Sequence, residues 1–122
     1  MLSARTRAIL VVEDEPLVAM DIADCVQAAG FGVVGPAATL EEASDHVLSG
    51  VFDAALVDAN LGGRKVDSLA AALTARLKPF AFVTGYGRET LPAGFRHVQV
   101  VAKPFTHDQL ITVIVSLLRQ TD

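Results

Sequence analysis

Short apolar runs without polar alternation punctuate the chain: Ala8 to Val12, Phe31 to Val34, Ala54 to Val57, Phe80 to Val83 and Val98 to Val101. Runs of this length predict strands buried on both faces, the mark of a parallel sheet. Between them the apolar positions recur at three-to-four spacing instead. Leu17, Val18, Ile22, Cys25, Val26 and Ala29 form one such stripe, opened by Pro16 and stopped by Gly30, which predicts a first helix. Thr39 followed by Glu42 resembles a capping box for a second helix ending near Gly50. Asp67 or Ser68 opens a third, "SLAAALTARL", and Thr106 caps the last, "HDQLITVIVSLLRQ". The stretch "TGYGRETLPAGFRHV", residues 84 to 98, carries Gly85, Gly87, Pro92 and Gly94 and leaves room for at most one turn near Arg88 to Leu91. The expected fold class is α/β: a (βα)5 doubly wound, five-stranded parallel sheet with a weak or irregular fourth helix.

In open α/β sheets, ligands bind beyond the carboxyl ends of the strands. The residues found there are Glu13, Asp14 and Glu15 after the first run, Asp58 and Asn60 after the third, Thr84 after the fourth and Lys103-Pro104 after the fifth. Two carboxylates about 4 Å apart repel by roughly 4 kcal/mol at the effective dielectric of a protein surface, so such a cluster calls for a divalent cation. Oxygen donors without His or Cys suit Mg²⁺, and the backbone carbonyl of Asn60 can complete its coordination sphere. Asp58 is then the candidate nucleophile, attacking a phosphoryl group to become an acyl phosphate. Lys103 would neutralise the phosphoryl oxygens and Thr84 would donate a hydrogen bond. A cis peptide before Pro104 would bend Lys103 back toward the pocket. Taken singly, each residue has an ordinary use as helix start, cap, turn former or surface charge. Their shared position at one sheet edge argues for a site.

Composition narrows the classes. With 122 residues, 52% of them hydrophobic, the chain fills one core, and a single domain over residues 1–122 with no output domain is expected. No run approaches the roughly 20 apolar residues that span a bilayer, and no signal-peptide cleavage pattern is present, so a cytoplasmic protein without membrane contact is expected. The lone Cys25 sits in the apolar stripe of a helix and is expected in the core. The net charge of −4 is unevenly spread: residues 1–58 carry ten acidic and two basic side chains, residues 59–122 four and eight. That split bears on interaction surfaces. Nucleic acid is not an expected partner, because the pI is near 5.2 and Arg64-Lys65 is the sole basic pair.

The motifs "VVEDE", "LVDANLGG", "VTG" and "AKPF" together resemble the receiver domains of two-component response regulators in order and spacing, and the resemblance runs from Ala8 to Leu118. It implies a flavodoxin-like fold and phosphotransfer to Asp58 from a histidine kinase or phosphotransfer protein. It also implies Mg²⁺ bound through Glu13, Asp14 and Asp58, with Thr84 and Lys103 as phosphate contacts. One departure stands out: Val100 occupies the position, three residues before the lysine, where the family usually has Tyr or Phe. Phe82, Thr84, Gly85 and Tyr86 resemble the FAT GUY subfamily, with Val83 in place of its Ala, and "DANLGG" looks like that subfamily's third-strand loop. Its members tend to be single-domain regulators partnered with unorthodox sensor kinases.

The expected function is a phosphoacceptor in a two-component phosphorelay that signals by binding a downstream protein target or acts as a phosphate sink. Its only catalysis would be self-catalysed phosphotransfer and autodephosphorylation. One rival is a phosphorylation-independent interaction module. Another is a haloacid dehalogenase-like phosphatase, which requires a second Asp where Asn60 stands. His46, His97 and His107 are expected to be solvated or capping, and Phe52, Phe80 and Phe105 to be core. Leu91 and Phe95 are expected at the surface of a switch segment, Gly85 to His97, that also carries Arg88 and Arg96.

Overall fold

Successive side chains of a strand point to opposite sides, so each central strand feeds two cores. The computed structural model describes residues 6–85, 91–95 and 97–121. Its elements run β1 (Ala8–Val12), α1 (Pro16–Ala28), β2 (Gly32–Ala37), α2 (Leu40–Ser49), β3 (Ala54–Asp58), β4 (Asn60–Leu61), β5 (Arg64–Lys65), α3 (Asp67–Ala75), β6 (Phe80–Thr84), β7 (Gln99–Ala102) and α4 (His107–Arg119). Five strands form one parallel sheet in the order β2-β1-β3-β6-β7. Leu10, Val12, Ala55, Val57 and Phe82 face one core with α2 and α3. Ile9, Val11, Ala54, Leu56 and Val83 face the other with α1 and α4. This is the flavodoxin-like α/β arrangement, as the apolar runs and the resemblance implied.

The edges depart from the simple reading of the runs. β2 and β7 are flanked on one side only and are partly exposed along their length. β2 also starts at Gly32 and continues to Ala37, beyond the expected end at Val34. Its pairing with β1 steps from Leu10↔Val34 to Val12↔Ala37, so one extra residue is taken up at Gly35-Pro36. Gly35 has φ +91°, and a Cβ there would lie 2.7 Å from Ala37 N and 3.0 Å from Val11 O, so only glycine fits the bulge.

The helix ends follow their caps. Pro16 opens α1, and Gly30, with φ +93°, lies just past its end. Thr39 Oγ1 accepts the Glu42 N–H at 3.1 Å, but Glu42 Oε1 accepts from Ala38 N–H at 2.7 Å rather than from Thr39, so the expected box reaches one residue further back. Neither Asp67 nor Ser68 caps α3: Val66 holds that position without a side-chain bond, and Asp67 lies in the first turn. Thr106 and Gln109 form a full capping box on α4. Leu17, expected on the buried stripe, is 79% exposed, because the side facing the sheet is set by Ala19, Ile22, Cys25 and Val26.

The breaker-rich stretch before β7 contains no helix among its described residues. The single turn expected near Arg88 to Leu91 falls largely outside the described residues. Leu91 and Phe95 are not surface residues: Leu91 is buried, and Phe95 packs against the core, with its ring centroid 6.3 Å from that of Phe80. Phe52 and Phe80 are buried and Phe105 is partly buried, as expected. Among the described residues, no helix is long and apolar enough to cross a membrane.

Candidate functional site

Strand register brings the expected site residues to one edge. Val12 pairs with Val57, Asp58 with Val83 and Thr84 with Ala102, so the residues that end or follow these strands meet. Asp58 and Thr84 are themselves the last residues of β3 and β6, one residue longer than the apolar runs suggested. Glu13, Asp14 and Asp58 each offer a carboxylate oxygen within 4.8 Å of the others. Lys103 Nζ stands 3.0 Å from Glu13 Oε1 and 3.7 Å from Asp58 Oδ2. The Lys103 N–H donates to Thr84 O at 2.8 Å, which fixes the lysine loop beside β6, and the Lys103-Pro104 peptide is cis.

Each carboxylate is held differently. Glu13 is 1% exposed; its N–H donates to Ala37 O at 2.9 Å, and its Oε2 accepts the Glu15 N–H at 3.2 Å. Oε1 is buried and has no hydrogen-bond partner among the described residues, so its approach to Lys103 is an ionic contact rather than a directed hydrogen bond. Asp58 Oδ1 accepts the Asn60 N–H at 3.0 Å. Burial, with the neighbouring Glu13 carboxyl adding to it, pushes the Asp58 carboxyl up to about 7, against the pull of the Asn60 N–H and Lys103. For Lys103, burial alone would lower the value, but the Glu13, Asp58 and Glu15 carboxylates outweigh it and hold the ammonium above its usual range.

The cluster fits a divalent cation on its own chemistry. Its donors are hard oxygens, and three carboxylates within 4.8 Å of one another carry more negative charge than the single Lys103 ammonium offsets. An open cleft of about 350 Å³ leads to it, bordered by Asp14, Asp58, Asn60, Gly62, Thr84 and Lys103.

Three features of the site were not anticipated. Asn60 begins a hairpin, β4–β5, in which Asn60 pairs with Lys65 and Leu61 with Arg64. Gly62 and Gly63, with φ +58° and +79°, make its turn, and two adjacent glycines between short strands were the available signal. Arg64 Nη1 donates to both carboxylate oxygens of Glu41, holding that carboxyl below its usual range. The third is Ala37, which acts through its backbone carbonyl and so leaves no trace in residue type.

Other candidates lie elsewhere. His107 Nε2 sits 3.1 Å from Asp21 Oδ1, joining α4 to α1, while His46 is in the last turn of α2 and His97 is exposed. Cys25 is buried, and burial, reinforced by Asp21 and Asp108, raises its thiol. Val100, in place of the usual aromatic, packs against the core formed with α2 and α3. Tyr86 lies outside the described residues.

No family model matches the chain. It is similar to SdrG from Sphingomonas melonis Fr1, at 40% identity over 96% of this chain and 99% of that one, with a TM-score of 0.81. A second SdrG structure, in a BeF3-activated conformation, matches at 41% identity over 91% of this chain and 95% of that one, with a TM-score of 0.78. The receiver domain of the response regulator PhyR from Erythrobacter litoralis matches at 31% identity over 93% and 91% of the two chains, with a TM-score of 0.80. Among curated proteins, the transcriptional regulatory protein PdtaR of Mycobacterium tuberculosis is 28% identical over 92% of this chain, which spans 57% of PdtaR's own length. Topology, strand-end residues and these relatives agree, and the chain belongs to the receiver domains of response regulators.

Proposed function

We propose that this domain accepts a phosphoryl group on Asp58 from the phosphohistidine of a histidine kinase or phosphotransfer protein. The observation that carries the reading is the meeting of a buried aspartate, two further carboxylates and a lysine at the carboxyl edge of the sheet, open to solvent through one cleft. An Asp58 carboxylate oxygen forms the new bond to phosphorus as the bond from phosphorus to the donor's imidazole nitrogen breaks, and the electron pair of that bond returns to the imidazole. Lys103, already beside both Glu13 and Asp58, neutralises charge on the transferring oxygens. Thr84, which ends β6 and borders the cleft, would donate its hydroxyl to the acyl phosphate. Glu13, Asp14 and Asp58, with the Asn60 carbonyl, would hold Mg²⁺, which when bound supplies positive charge against the phosphoryl oxygens.

Receiver domains are signalling modules rather than conventional enzymes, so the output would be a protein contact: binding to a downstream target, or draining phosphoryl groups from the kinase in the cytoplasm. That SdrG has been described in a BeF3-activated conformation supports a phosphoryl-responsive state for this close relative. The test is intact-mass analysis after incubation with acetyl phosphate and Mg²⁺. A labile phosphoryl adduct is expected in the parent and absent in Asp58→Asn. An undiminished adduct in the variant, or none in the parent, overturns the reading.

A further inference from the structure

Arg64 takes no part in the chemistry just described, yet it is bound to the element that shapes the cleft. It lies across the β4–β5 hairpin from the buried Leu61 and donates to Glu41 at 3.1 and 2.9 Å. Glu41 is in the first turn of α2, and the residues leading into that turn are already tied to the other side of the site: Ala37 O accepts the Glu13 N–H. The start of α2 thus grips both walls of the acidic cluster, Glu13 through Ala37 and the hairpin through Arg64. The hairpin's tip lies over Asp14, since a Cβ on Gly62 would sit 3.8 Å from Asp14 Oδ2.

Strands of two residues cannot hold their own shape in water. This hairpin is held by the burial of Leu61, by the Asn60 N–H on Asp58 and by the Arg64–Glu41 pair. The last of these is the one at the solvent boundary, with both side chains more than half exposed, so it can open without disturbing the core. We infer that Arg64 is a positioning residue, whose pairing with Glu41 holds the hairpin over Asp14 and Asp58 and thereby sets the divalent-cation affinity of the cluster. The inference rests on the reading of that cluster as a cation site.

Simple electrostatics gives the opposite sign at this position. Removing a cation near three carboxylates strengthens their hold on Mg²⁺, whereas removing a latch weakens it. The experiment is calorimetric titration of Mg²⁺ into the parent, Arg64→Gln, Glu41→Gln and the charge-reversed pair Glu41→Arg/Arg64→Glu. Arg64→Gln is expected to bind Mg²⁺ about two- to fivefold more weakly, the range an exposed ion pair supports. Its hairpin amides should exchange faster in metal-free protein while β1 and β3 stay protected, and the reversed pair should recover most of the affinity. Equal or tighter binding by Arg64→Gln, or no recovery in the reversed pair, overturns the latch alone. A parent that binds no Mg²⁺ overturns the cation-site reading and the latch with it.

Discussion

Asp58 answers to two opposed demands. Burial beside Glu13 disfavours its charge, yet the nucleophilic attack proposed for it needs the carboxylate, and Lys103 and the Asn60 N–H supply part of the compensation. Asp58→Asn keeps the shape and removes the charge, so in chelator at pH 8 it should be more stable than the parent by at least about 1 kcal/mol, a few degrees in Tm. Thermal unfolding of the two metal-free proteins checks this, and a lower Tm in the variant would mean that the ion pair with Lys103 outweighs burial. The placement of these residues was largely legible, because Asp58 and Thr84 directly follow apolar runs and Lys103 stands just beyond another. Ala37 was not, since a backbone carbonyl carries no side-chain signature.

At the scale of elements, the contrast between α3 and α4 is instructive. α4 starts on a reciprocal box, with Gln109 N–H on Thr106 Oγ1 at 3.1 Å and Thr106 N–H on Gln109 Oε1 at 2.9 Å. α3 has no such bond and relies on the burial of Val66, Leu69, Ala70 and Leu73. Thr106→Ala should therefore cost about 1 kcal/mol, read as a fall of a few degrees in Tm, without loss of the fold. The Thr106 cap and the apolar stripes made these helices visible in the chain, while the cap expected at Asp67 or Ser68 is absent. Less visible was where breakers lead: glycines and prolines before β7 argue against a helix, but they say nothing about burial, and so Leu91 and Phe95 were misplaced to the surface. β2 was cut short for a similar reason. Gly35-Pro36 looks like an ending, whereas the bulge absorbs one residue and the strand resumes at Ala37 to hold Glu13.

For the whole molecule, the sheet's order puts the clustered carboxylates Glu13, Asp14 and Asp58 at one end and leaves their mutual repulsion as a cost of the metal-free fold. Mg²⁺ should therefore raise Tm, by an amount corresponding to about 2.7 kcal/mol at a hundredfold excess over its Kd. Glu13→Ala/Asp14→Ala should abolish that rise in the same thermal scan, and an undiminished shift would place the cation elsewhere. The opposite end of the sheet has a different character. There Asp53 accepts from Ala8 N–H at 2.8 Å and approaches Arg7, and Arg7 in turn reaches Leu118 O at 3.1 Å and the Thr121 hydroxyl. The segment that enters β1 and the segment that leaves α4 thus lie side by side, away from the cleft. A short linker joining residues near 121 to those near 7 would bridge them, so the unit that these residues bound is suited to circular permutation, or to insertion within a loop of a host protein, with the strand-end carboxylates left facing outward.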